Sequence, residues 1–92
     1  MTLTKSEIDK IIKMDLNDWE FINSKIVRFI PRCDEVSLGK IVKAIWDYAE
    51  KVDHHPDVLL TYSGVKITLF THDQSGVTEK DIKFARSLAK IY

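Results

Sequence analysis

All three histidines of the chain, His54, His55 and His72, fall in one stretch of its second half. Two are adjacent and stand directly before Pro56. An unperturbed imidazole titrates near pH ~6.5, so each can donate or accept a proton at neutral pH. Two carboxylates accompany them: Glu50, one helical turn before His54, and Asp81, downstream of His72. These five residues have the chemistry of a proton-transfer site. Each also has a plainer reading. His54-His55 suits a solvated helix exit, because imidazolium is favoured at a helix C-terminus. Asp81 stands three residues after Thr78, the spacing of a capping box, and Glu50 suits a solvated helix flank. Trp46 and Tyr48 suit a core or rim position.

Other chemistries fit the spacing less well. Three histidines and an acid can hold zinc with one open position. There is no HExxH, however, and Cys33, the only cysteine, has no second thiolate to join it. Adjacent side chains rarely converge on one ion, so no metal is expected. No Gly-x-Ser-x-Gly is present, and the three glycines are isolated, which removes a nucleophile elbow and a phosphate-cradling loop.

The elements that would position these residues can be read from periodicity and turn chemistry. Thr4-Lys5-Ser6-Glu7 is a capping box ahead of Ile8, Ile11 and Ile12, and predicts a first helix from about Thr4 to Met14. Trp19–Phe21 and Ile26–Ile30 are β-branched and aromatic, flank Asn23-Ser24, and predict a hairpin ended by Pro31. Ser37 caps a long second helix whose apolar stripe is Leu38, Ile41, Val42, Ile45, Ala49 and Val52. Val58–Tyr62 and Val65–Thr71 predict a second hairpin turning at Ser63-Gly64, with His72 at its end. Thr78 opens a last helix burying Ile82, Ala85, Leu88 and Ala89. The expected architecture is α+β, a single domain over residues 1–92 in the order α-β-β-α-β-β-α. Its four-stranded antiparallel sheet carries three helices on one face. Lys66, Thr68, Phe70 and His72 alternate onto the other face, where Phe70 is available to a second copy.

Composition narrows the class further. A chain of 92 residues buries roughly 60–65% of its unfolded surface, which allows one modest core. A formal net charge of zero with acids interleaved among lysines gives no footprint for nucleic acid. No run approaches the ~20 apolar residues of a membrane span, and Lys5, Glu7, Asp9 and Lys10 interrupt any signal-peptide pattern. One unpaired cysteine fits a reducing compartment, so a cytoplasmic protein is expected.

The run Glu50-Lys51-Val52-Asp53-His54-His55-Pro56-Asp57, followed by Tyr62, by Thr71-His72-Asp73 and by Asp81, resembles the signature of the pterin-4a-carbinolamine dehydratases. These are also called dimerisation cofactors of a homeodomain transcription factor. Val58 stands where members often carry tryptophan, and Leu59 and Leu60 where they carry aromatic residues. The resemblance implies elimination of water from a 4a-hydroxytetrahydropterin to give a quinonoid dihydropterin, a step of tetrahydrobiopterin recycling. It implies His54 and His72 as the acid/base pair, with His55 hydrogen-bonding the ring. Glu50 would orient His54, and Asp81 would hold His72 or contact the pterin amide edge. No metal or redox cofactor is implied. The implied partners are a pterin substrate, a homodimer or homotetramer, and the pathway of an aromatic amino acid hydroxylase. Two alternatives stay open: an oligomeric transcriptional-cofactor module, and an enzyme acting on another pterin, as in molybdopterin metabolism.

Overall fold

A computed structural model describes residues 2–91. It contains α1 (Lys5–Asp15), β1 (Glu20–Ile22), β2 (Lys25–Pro31), α2 (Leu38–Val52), β3 (Asp57–Thr61), β4 (Gly64–Leu69) and α3 (Glu79–Ile91). A short 3-10 turn, His72–Gln74, lies between β4 and α3. The strands form one antiparallel sheet in the order β1-β2-β4-β3. The expected fold class and element order are therefore found.

Local chemistry explains most boundaries. The Thr4 backbone N–H donates to Glu7 Oε1 at 2.8 Å, and the Glu7 N–H donates to Thr4 Oγ1 at 3.1 Å, which completes the capping box of α1. The bond from the Thr4 backbone, and then that with its side chain, hold the Glu7 carboxyl below its ordinary range. The contribution of this depressed group is present above the unfolded value and is lost as pH falls through the folded one. Asn23 and Ser24 both have positive φ, 51° and 63°, as a two-residue turn matched to strand twist requires. Ser37 Oγ accepts from the Lys40 N–H and starts α2. Pro31 is tolerated in an inner strand because β1 pairs only with residues 25–27 of β2 and leaves the rest of that edge open.

The core lies between the helices and one sheet face. Ile26 and Ile30 of β2 and Val65, Ile67 and Leu69 of β4 are buried against Ile8, Ile41, Ile45, Ile82 and Leu88. Arg28 shares this face, and its guanidinium lies 3.7 Å from Asp18. Two expectations need correction. Ala89 is exposed, and Phe84 is buried in its place, because the buried side of α3 is turned towards α2, where Phe84 packs on Tyr48. The second hairpin turns at Tyr62-Ser63, since Thr61 pairs with Gly64. Gly64 is already a strand residue, with φ of 153°.

The helix-free face also differs from expectation. Phe29 and Leu59, both cross-strand neighbours of Lys66, are more than half exposed there, and Ile22 is nearly so. Phe70 is partly covered, with Lys25 Nζ 4.5 Å from its ring centre and the His72 ring at 4.1 Å.

Gly64 supplies a direct test. A Cβ there would overlap the Ile30 carbonyl oxygen and come within 3.0 Å of Pro31 Cα, at a φ that side chains rarely adopt. Gly64→Ala should therefore lower stability by about 2–3 kcal/mol, read as a drop in the urea midpoint. An unchanged midpoint would mean that the β2–β4 contact is looser than described.

Candidate active site

The exit of α2 separates the two adjacent histidines. Asp53 takes the left-handed conformation (φ 53°, ψ 45°), and its N–H and that of His54 both bond to the Ala49 carbonyl. Aspartate tolerates this conformation better than most residues. Past this reversal, the His54 and His55 side chains take partners on different helices. His54 reaches α3, where its Nε2 lies 2.6 Å from Asp81 Oδ1. His55 reaches back along α2, where its Nε2 lies 2.6 Å from Glu50 Oε2 and its ring 4.9 Å from that of Trp46.

Asp81 is fully buried, and a buried carboxylate is costly unless hydrogen-bonded. Its second oxygen, Oδ2, accepts from Thr71 Oγ1 and from the Thr78 backbone N–H, each at 2.9 Å. The two threonine hydroxyls are 2.7 Å apart. Asp81 thus caps α3 as its spacing suggests, and engages His54 with its other oxygen. Structural and site roles coincide in one carboxylate.

Thr71 is placed by the loop after β4. Its N–H donates to the Gly76 carbonyl at 2.7 Å and closes the turn that carries His72. His72 therefore opens a 3-10 turn beyond the sheet rather than ending the strand. Its side chain is exposed and its ring lies against Phe70.

The pairings differ from those implied by resemblance. Glu50 binds His55, not His54, because the reversal at Asp53 carries His54 away from α2. Asp81 binds His54, not His72. The Thr71–Thr78 pair escaped sequence reasoning: nothing in the local pattern joins a strand-end threonine to a helix cap. Among the described residues, no group of three histidine, cysteine or acidic side chains is arranged to hold a metal ion.

A pocket of about 300 Å³ opens beside the dyad, lined by Tyr48, Val52, His54, Lys80, Lys83 and Phe84. Phe84 packs edge-on against Tyr48 and supports the His54 ring. A neighbouring hollow of about 390 Å³ is lined by Thr71, Asp73, Gln74, Thr78, Glu79 and Lys80. Lys80 borders both, at the first turn of α3. The structure therefore presents one imidazole held on a buried acid and another held on an exposed acid, while the third, His72, packs its ring on Phe70 and joins neither pair among the described contacts. No helix among the described residues is long and apolar enough to cross a membrane.

Comparison with known proteins agrees with this fold. The family model described as pterin 4 alpha carbinolamine dehydratase matches residues 1–91. A provisionally named pterin-4-alpha-carbinolamine dehydratase of Metallosphaera sedula is 35% identical, over 97% of this chain and 92% of its own length. One from Brucella ovis is 38% identical, over 97% and 93%. A crystal structure of a transcriptional coactivator/pterin dehydratase from Brucella melitensis superposes with a TM-score of 0.89 at 35% identity, covering 99% of this chain and 98% of that one. With its fold and nearly its whole length accounted for, the chain belongs to the pterin-4-alpha-carbinolamine dehydratase family.

Proposed function

We propose that this protein eliminates water from 4a-hydroxytetrahydropterin by histidine acid/base catalysis and so serves tetrahydropterin recycling in the cytoplasm. The observation that carries the reading is the His54–Asp81 pair, a pocket-lining imidazole held on a buried acid in a chain of this family. In the reaction the bond from carbon 4a to the hydroxyl oxygen breaks. A proton delivered to that oxygen lets it leave as water. The proton on N5 goes to a base, and the N5–H electron pair becomes the second bond between N5 and carbon 4a. Electrons balance without an oxidant or reductant, so no redox cofactor enters.

Each positioned proton transfer is worth about 10²–10⁴-fold. His54 and His72 are assigned to these transfers, and His55, steadied by Glu50, to holding the ring. Asp81 acts through His54 rather than on the pterin.

Pure protein should turn over chemically generated 4a-hydroxytetrahydropterin, and a chelator should leave the rate unchanged. Loss of turnover on chelation, restored by zinc, would contradict the scheme.

His54→Ala and His72→Ala should each lower kcat by ~10²-fold or more, with His55→Ala acting mainly on KM. The double His54/His72 variant should lose less than the product of the single losses if the two act as a unit. Turnover within a few-fold of wild type in each single variant would make these residues structural and defeat the assignment.

A second reading, assembly into a homodimer or homotetramer, is favoured by the helix-free face. Phe29, Leu59 and Ile22 expose apolar surface there, and such faces and open strand edges are liabilities for a monomer. Twofold pairing is the simplest closure. Light scattering at tens of micromolar should give a mass above the 10.7 kDa of one chain, lowered by Phe29→Asp and less strongly by Phe70→Asp. A wild-type mass that stays at one chain would refute assembly and leave the catalytic reading standing.

A further inference from the structure

The hydrogens around Asp81 can be placed one by one. The Lys80 backbone N–H is a fixed donor and bonds to Thr78 Oγ1 at 3.3 Å. The Thr78 backbone N–H is a second fixed donor and bonds to Asp81 Oδ2. The Thr78 hydroxyl hydrogen has one acceptor among the described contacts, Thr71 Oγ1 at 2.7 Å. Thr71 Oγ1 therefore accepts, and its own hydrogen goes to Asp81 Oδ2 at 2.9 Å. The reverse order would leave the Thr78 hydrogen without a described partner and would need a proton on Oδ2, which already faces an N–H. A hydroxyl donates only one hydrogen, so the chain has a direction. It runs from the α3 backbone through Thr78 and Thr71 to the carboxylate.

We propose that Thr71 and Thr78 are positioning residues of the dehydratase site. By filling Oδ2 with donors, they keep Asp81 an acceptor at Oδ1, and so fix His54 as the tautomer with its hydrogen on Nε2. The catalytic proton of His54 then enters and leaves through Nδ1. This deepens the acid/base reading and rests on it for the effect on turnover. A histidine whose second nitrogen is held by a carboxylate keeps one tautomer and one ring orientation, and a wrong tautomer removes the lone pair from the reacting side. The threonine pair extends that control one layer further out, across the joint between β4 and α3.

The test separates tautomer from turnover. Protein labelled with nitrogen-15 in histidine is observed at a pH where His54 is neutral, with His54→Gln identifying its signals. In wild type the Nε2 signal should be that of a protonated nitrogen and the Nδ1 signal that of a bare one. Thr71→Val should move both towards a tautomer mixture and lower kcat by ~10-fold or more, with KM within about twofold, because a bond to a charged group is lost. Thr71→Ser, which keeps the hydroxyl, should restore both readouts. Thr78→Val should shift the tautomer in the same direction by a smaller amount, and it provides the second variant should Thr71→Val fail to fold by circular dichroism. A tautomer shift in Thr71→Val, together with a wild-type protein that dehydrates no pterin, would uphold the relay and defeat the enzymatic reading. His54 signals unchanged in the folded valine variants, or a serine variant that rescues neither readout, would overturn the relay.

Discussion

The arrangement hangs on a carboxylate with no access to water. Asp81 sits at the start of α3, and its two oxygens are shared among three parts of the chain. Oδ1 meets the imidazole that follows α2; Oδ2 meets the threonine after β4 and the backbone of its own helix cap. A charge so placed must find donors, and these donors exist only when α2, β4 and α3 meet at one point. The same requirement that joins the elements also sets the direction of the His54 ring. Packing supports it from the side, through Phe84 against Tyr48 and beside His54.

His55 is held in a different medium. Its partner Glu50 is largely exposed, and the neighbouring Trp46 is nearly half exposed. An ion pair in water contributes little and lets its members move. The two adjacent histidines thus differ in surroundings: one pairs with a buried acid, the other with an exposed one. His72 is exposed and packs its ring on Phe70.

What the sequence disclosed and what it withheld follow the range of the interactions. The capping box at Thr4, the Asn23-Ser24 turn and the apolar stripe of α2 are decided by neighbours a few residues apart, and each is found where the local chemistry puts it. The histidine cluster was visible as residue types. Its wiring was not. Spacing on a regular helix points Glu50 at His54, but one left-handed residue, Asp53, ends the helix and turns His54 away. The Ser63-Gly64 pair resembles a turn, yet Gly64 is needed one step later, where β4 passes the Ile30 carbonyl without room for a side chain. Both misreadings come from contacts across the sheet or between helices, which no local window contains.

The strand order β1-β2-β4-β3 has a bearing on how the molecule is made. Each outer pair is a hairpin that can close locally, in microseconds. The seam between β2 and β4 joins residues separated by all of α2, and loop entropy must be spent before that seam gains anything. His54 and Thr71 both precede α3, and their acceptor arrives only with α3, the last of the described elements in chain order. A nascent chain lacking α3 has neither Phe84 and Leu88 to seal the core nor Asp81 to receive the donors. Formation of the His54–Asp81 pair and completion of the apolar interior are therefore one event.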